Sequence, residues 1–373
     1  MKNVPQLRFA GFDGEWGEFK LSDLGRISAG GDVDKKKIKT EGKYPVIANG
    51  DFNNGIIGYY DEDYKISEPA VTISARGNIG TAVARDYPFT PVIRVLTFIS
   101  DNNIYFMSEV FNRLRIYNES SGVPQLTSPQ FGEYKIFSTQ LHEQEKIGDL
   151  FRKIDALIEK QEGKVSKMED FKKSMLQKMF PKKGELVPEF RFDGFDGEWE
   201  EISIGDKFEV TMGQSPNSEN YTTDINAMIL VQGNADLENG HVTPRIFTKE
   251  VTKTSKKGDI LMTVRAPVGT LAVNEYDVVI GRGVCSIKGN TFLYYSLTNM
   301  NLNNYWNRFS SGSTFESINS LDIKNASLKI PSLAEQEKIG NFFKNLDTQI
   351  ETEEKLLVSY KQMKKSLLQK MFV

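Results

Sequence analysis

Two stretches of this chain place apolar residues on a seam that advances in alternating steps of four and three. In the first, Ile147, Phe151, Ile154, Ile158, Val165, Met168, Met175 and Met179 lie on the seam, and Gln161 and Lys172 fill its remaining places. In the second, Ile339, Phe343, Leu346, Ile350, Leu357, Tyr360, Leu367 and Met371 occupy the matching steps, with Glu353 and Lys364 in the gaps. A period of 3.5 kept over about five heptads predicts two helices that pair as a coiled coil. Polar residues on such a seam fix its register at some cost in stability. Each helix, at 1.5 Å per residue, would be roughly 57 Å long. Ser332 and Glu335 have the spacing of a capping box at the start of the second helix. Gly163 is a weak place in the first, costing roughly 1 kcal/mol relative to alanine, where the second has Lys355.

The two seams belong to an internal repeat, which decides the architecture before any single residue does. Residues 143–180 and 335–372 are identical at 19 of 38 positions; EQEKIG opens both, and KKSMLQKMF in the first returns as KKSLLQKMF. PQLRFAGFDGEW (5–16) and PEFRFDGFDGEW (188–199) agree at nine of twelve. The second of these follows the first helix almost at once, after a linker whose prolines and glycine stop the helix. If the helices lie side by side, the second therefore returns toward the first globular unit, giving an antiparallel pair. GFDGEW reads as the joint between helix and globular unit, with Phe12, Trp16, Phe195 and Trp199 as anchors and glycines that permit a bend. Its carboxylates Asp13, Glu15, Asp196 and Glu198 read as exposed turn residues.

Between joint and helix the halves diverge, although ISARGNIGTAVA (73–84) still echoes MTVRAPVGTLAV (262–273). Short β-rich runs such as PAVTISA and ILMTV, broken by Asn-Gly and Gly turns, alternate with helical patterns near 109–117 and 292–309. The predicted class is α+β: a globular unit over 1–141, a helix over 142–181, a second unit over 182–333 including the linker 182–199, and a helix over 334–373.

Composition narrows the chemistry. With Cys285 as the only cysteine and His142 and His241 as the only histidines, intrachain disulfides are impossible and zinc spacing patterns are absent, so no metal site is expected. A reducing, cytoplasmic setting follows, and no stretch is apolar enough to enter a membrane. No phosphate-binding loop, dinucleotide glycine motif or Asn-Pro-Pro-aromatic tetrad occurs, so no catalytic residues and no cofactor are expected on this chain. The formal charge of −3 hides local clusters such as KKKIK (35–39) and KTSKK (253–257). A basic face, not a basic total, is what a nucleic acid requires.

EQEKIG followed by an apolar-seamed helix ending in KKS[ML]LQKMF, present twice, with SARGNIGT and SSG segments upstream, resembles the specificity subunit of type I restriction–modification systems. The resemblance covers essentially the whole chain. It implies that each globular unit is a target recognition domain reading one half of a bipartite site in double-stranded DNA. It also implies that the helices set the unread spacer and dock two methyltransferase subunits, which recruit restriction subunits. S-adenosylmethionine and ATP would then be held by those partners only. The second unit departs from the first at Ala266–Pro267, against Gly77–Asn78, and at Ser313–Thr314–Phe315, against Val123–Pro124–Gln125.

Arg pairs with guanine and Asn or Gln with adenine in the major groove, so those residue types at turns are the candidate readers. They are Asn49, Asp51, Asn53, Arg76 and Asn78 in the first unit, and Gln214, Gln232, Asn234, Arg265 and Arg282 in the second. Lys35, Lys36, Lys37, Lys43, Ser121, Lys256, Lys257 and Ser311 are candidate phosphate contacts. Asn49–Gly50, Asn54–Gly55 and Asn239–Gly240 equally suit hairpin turns, and Arg76 and Arg265 equally suit structural ion pairs. A two-headed coiled-coil adaptor that binds proteins remains a competing reading, separated from the first by salt-dependent binding of duplex DNA. A self-sufficient methyltransferase would have to bind S-adenosylmethionine alone.

Overall fold

The computed structural model describes residues 3–50, 52–116, 125–309 and 317–373. They form two compact units, residues 1–163 with 355–373 and residues 164–354. Four helices organise them: α1 (Ile104–Asn112), α2 (Leu141–Lys178), α3 (Thr291–Leu302) and α4 (Leu333–Met371). In the first unit the start of α2 lies against the end of α4; in the second the end of α2 lies against the start of α4.

Both halves of the helix pair run antiparallel. In the first unit Asp155 and Glu162 of α2 bond Lys364 and Lys361 of α4. In the second, Lys164 and Lys172 bond Glu353 and Asp347. In each case the partner number falls as the α2 number rises. Lys172–Asp347 (2.5 Å) and Lys364–Asp155 (2.7 Å) are mirror images in the repeat, so the seam lysines tie the register at equivalent steps. Ile147, Phe151, Ile154, Val165, Met175, Met179, Ile339, Phe343, Leu346, Ile350 and Met371 are buried. Ile158, Met168, Leu357, Tyr360 and Leu367 are half-buried.

The repeated motifs are explained by what each residue touches. Glu143 of EQEKIG is fully buried and takes a two-pronged bond from Arg8 (2.6 and 2.7 Å), while Arg8 also donates to the Gly14 carbonyl in the joint. Glu335, Arg191 and Gly197 repeat the arrangement in the second unit. Half of the expected capping box is therefore replaced: Ser332 Oγ accepts from the Glu335 N–H at 3.4 Å, but the carboxylate turns to arginine. Gln144 accepts from the Asn103 N–H and Gln336 from the Asn290 side chain, fastening each long helix to the cap of α1 or α3. The final glycine permits the close approach, since a Cβ on Gly148 would lie 2.1 Å from Asn103 Oδ1 and one on Gly340 3.0 Å from the Phe292 nitrogen.

The closing QKMF anchors the joint. Phe372 stacks on Phe106 beneath Trp16, and Phe180 stacks on Phe292 beneath Trp199. The joint backbone follows suit: the Leu7 N–H donates to the Lys370 carbonyl as the Phe190 N–H does to that of Lys178.

The globular parts share a topology that their sequences conceal. An antiparallel sheet orders Arg26–Ala29, Val95–Ile99, Ala70–Ser74 and Ala82–Arg85; its counterpart orders Val210–Met212, Val284–Ile287, Ile260–Thr263 and Leu271–Val273. A second sheet pairs Tyr44–Ile47 in parallel with Thr90–Pro91, and Met228–Val231 in parallel with Val278–Ile280. A third two-stranded sheet, Gly17–Lys20 with Lys135–Ser138 or Glu200–Ser203 with Ser327–Ile330, leads back to the long helix. Cys285 is wholly buried on a central strand, and that burial pushes its thiol up to about 12.

The smaller helices differ from expectation. α1 starts at the Asn103 cap, whose side chain accepts from the Phe106 N–H. It ends where the Asn112 side chain bonds both backbone groups of Ala82 instead of pointing to solvent. The 292–309 pattern splits into α3 and a 3₁₀ turn, Tyr305–Phe309, at Asn304, which has φ +54°.

Two glycines of α2 should respond oppositely to alanine. Gly163 has open space around its Cβ position, so Gly163→Ala should raise stability by about 0.5–1 kcal/mol. Gly148→Ala should lower it by about 1–3 kcal/mol through overpacking. Denaturant midpoints of both variants check this. In the second unit, His241 lies 3.1 Å from Glu275 and 3.3 Å from Glu351. Burial favours the neutral ring, but the carboxylates outweigh it and hold the imidazolium above the ordinary histidine value. The charged ring adds stability that is complete below about pH 6.5 and is lost as pH rises through the raised value. His241→Gln should flatten that part of the stability–pH curve, measured by denaturation across neutral pH.

Candidate nucleic-acid interface

Backbone hydrogen bonds establish which positions of the two units correspond. Val92 N–H donates to the Ile47 carbonyl as Gly281 N–H does to that of Val231. Gly31 N–H donates to Pro91 as Gln214 does to Ile280, and Leu126 to Ala75 as Ile318 does to Val264. The loops leaving these strands are thus built on one frame. Ala48 stands where Gln232 does, Ile93 where Arg282 does, Gly31 where Gln214 does, and Arg76 where Arg265 does.

In the second unit the frame encloses a cavity of about 390 Å³. Gln232, Asn234, Arg265 and Arg282 line it together with Ser215 and Tyr221, which sequence reasoning missed. Its walls are pinned from behind. Buried Asp236 accepts from the Gln232 and Gly233 N–H groups and from Arg245, holding the 232–236 loop. Ser215 Oγ accepts from the Arg282 N–H, and Asn234 Oδ1 from the Thr270 hydroxyl. The Gln232 amide nitrogen is buried without an acceptor among the described residues. Arg265 and Arg282 are exposed and, among the described residues, bond nothing through their guanidinium groups. The ion pair open to Arg265 is not made among the described residues. Gln214 lies exposed nearby in sequence and structure, its N–H bonded to Ile280.

The first unit uses its predicted residues differently. Arg76 is exposed, with no side-chain partner among the described residues, in the loop after Ala70–Ser74. Asn49 is taken up structurally: its Oδ1 accepts from the Ala75 N–H at 2.8 Å, binding its loop to that of Arg76. It has no left-handed φ, so Asn49–Gly50 is not a primed hairpin turn, whereas Asn239–Gly240 (φ +51° and +82°) joins a hairpin. Asn53 and Asn54 both sit in the left-handed region, which answers for their residue type. Asn78 is exposed, and its carbonyl accepts from the Thr81 hydroxyl.

Among the phosphate candidates, Lys35, Lys36 and Lys37 form a 3₁₀ turn capped by Asp34, and Lys37 reaches Asp63 at 3.5 Å. Lys43 lies over the Tyr44 ring. Lys256 is paired with Asp277 at 2.8 Å, so part of its charge is already answered, while Lys257 is exposed and only its backbone N–H is bound. Asp51, Ser121 and Ser311 lie outside the described residues. Phe52, 92% exposed just before Asn53 and Asn54, is an apolar surface feature outside the polar residue types expected to read bases. Among the described residues, no group of histidine, cysteine and carboxylate side chains could hold a metal, and no helix is long and apolar enough to cross a membrane.

The family model described as the type I restriction modification DNA specificity domain matches residues 13–169 and again 196–360. The chain belongs to that family. A relative named as the type I restriction enzyme MjaX specificity subunit of Methanocaldococcus jannaschii is 28% identical over 273 residues, covering 68% of this chain and 61% of that protein. A type I specificity subunit of Mycoplasma pneumoniae is 33% identical over 140 residues, 36% of this chain and 38% of its own length. The matches thus span less than two thirds of these relatives. The crystal structure of the type I restriction–modification S subunit from M. genitalium superposes with a TM-score of 0.73 at 17% identity, covering 99% of both chains, and shares the fold. A second solved chain, from work on the assembly of a type I restriction–modification system, gives 0.57 at 19% identity over 96% and 97%.

The loop held by Asp236 should depend on it. Asp236→Ala should speed hydrogen exchange at the Gln232 and Gly233 amides while leaving the sheet amides protected, as followed by exchange of the full chain.

Proposed function

We propose that this chain is the DNA-reading, non-catalytic subunit of a type I restriction–modification complex. Each globular unit reads one half of a bipartite, asymmetric site in duplex DNA. The long helices fix the number of unread base pairs between the halves and dock two methyltransferase subunits, through which restriction subunits join. S-adenosylmethionine and ATP are consumed on those partners, within the cytoplasm.

The observation that supports this best is the common frame with unlike side chains. Correspondence of the backbone bonds at Ile47 and Val231, with Ala48 against Gln232 and Ile93 against Arg282, is what two readers of different base sequences need. Direct readout works through such exposed side chains, each good bidentate contact adding about 1–3 kcal/mol of discrimination. Arg76 and Arg265 provide one such fork in each unit, already free of structural partners among the described residues. Exposed lysines such as Lys35, Lys36 and Lys257 would add the salt-dependent, sequence-independent part.

Mapping methylated motifs in a host with and without the chain tests the reading: a bipartite motif should vanish with the chain, and persistence of every motif sinks it. Arg76→Ala should relax one half of the motif and leave the other intact; equal loss in both halves would count against its role. Removing one heptad from both α2 and α4 should shorten the unspecified spacer. Half-sites on one face of the duplex centre about 34 Å apart, so the spacer should be several base pairs long.

A further inference from the structure

The cavity of the second unit is lined by two unpaired arginine forks among the described residues. Several of its oxygens are used internally: Ser215 Oγ by the Arg282 N–H, Asn234 Oδ1 by Thr270, and the carboxylate of Asp236 behind it by two backbone N–H groups and Arg245. What remains exposed at the space includes the forks of Arg265 and Arg282, which bond nothing among the described residues. An arginine fork is planar and is best answered by two acceptors side by side. The cavity therefore suits a group rich in acceptors and poor in donors.

Base edges divide sharply on that criterion. Guanine presents N7 and O6, two acceptors side by side, which match an arginine fork; thymine presents one acceptor beside its methyl, cytosine a donor, and adenine a donor beside one acceptor. A guanidinium opposite the adenine or cytosine amino group would meet donor with donor. The first unit keeps a single fork, Arg76 in the place of Arg265, and has Ala48 and Ile93 in place of Gln232 and Arg282. On the DNA-reading function proposed above, the geometry points to a guanine in the half-site read by the second unit, held by Arg282 and Arg265 with Gln232 beside them. The half-site read by the first unit carries no equivalent demand.

The test uses the full chain with the subunits that copurify with it. Methylome mapping of strains carrying Arg76→Ala or Arg282→Ala assigns each half of the motif to its unit. Duplexes bearing the mapped site are then made with 7-deazaguanine, which lacks N7, at guanines of one half at a time. Substitution in the Arg282-dependent half should weaken binding about 10- to 100-fold, and the same change should do little to the Arg282→Ala protein. Arg282→Lys, which keeps charge but loses the fork, should retain the salt dependence of binding and broaden the motif at that guanine. A motif whose Arg282-dependent half contains no guanine overturns the assignment, as does unchanged affinity for the 7-deaza duplex. A uniform loss of affinity by Arg282→Ala with an unaltered motif also overturns it, because the arginine then holds a phosphate. Absence of any chain-dependent motif overturns the reading function itself and this assignment with it.

Discussion

Each long helix begins by burying a carboxylate, and the rest of the fold is arranged around that fact. Glu143 and Glu335 are almost completely inaccessible, and the forks of Arg8 and Arg191, with the Thr139 hydroxyl also donating to Glu143, make such burial tolerable. Losing one partner of a buried ion pair generally costs about 3–5 kcal/mol, because the other charge is left unanswered. The same arginines clasp the glycine turn of the joint, so one interaction fixes helix start, joint and entry to the globular unit together. The aromatic stacks of Phe372 on Phe106 and Phe180 on Phe292 then close each joint from the other side. Close identity in the helices and joints, against divergence elsewhere, follows from this: these residues touch each other, and few alternatives satisfy every contact.

The globular units show the complementary principle. Their four-stranded sheets agree in strand order and the units agree in the backbone bonds at the strand ends, yet the side chains carried there share little. Backbone hydrogen bonding does not depend on side-chain identity, so a frame held by main-chain bonds tolerates exchange at its exposed loops. Where Gln232 and Arg282 make the second unit's surface polar and donor-rich, Ala48, Ile93 and the protruding Phe52 give the first a more apolar one. Specificity can diverge on such a frame without disturbing the core.

What could be read from residues alone was whatever repeats or has a period. The seam from Ile147 to Met179 and its copy from Ile339 to Met371 are local patterns, and they placed both long helices to within a few residues. The pairing of Lys172 with Asp347 and Lys364 with Asp155 needed the antiparallel register, which periodicity alone does not supply. Loop chemistry was legible only in part. Four of the second unit's five candidates converge on one cavity, but Asn49 proved to be a backbone clamp and Asn53 a turn residue, because asparagine serves turns as readily as it reads bases. Ser215 and Tyr221 gave no signal of type or spacing; the fold alone brings them to the cavity. The start of α1 was misplaced because the Asn103 cap resembles the loop asparagines before it.

The burial of Cys285 has a practical side. A thiol held up to about 12 inside a sheet is not a nucleophile near neutral pH, so maleimides and similar reagents pass it by. The native chain is therefore silent to thiol chemistry without first being stripped of cysteine. A cysteine placed on any exposed loop would take a fluorophore or spin label alone, which opens distances within each unit to solution spectroscopy on an otherwise unaltered protein.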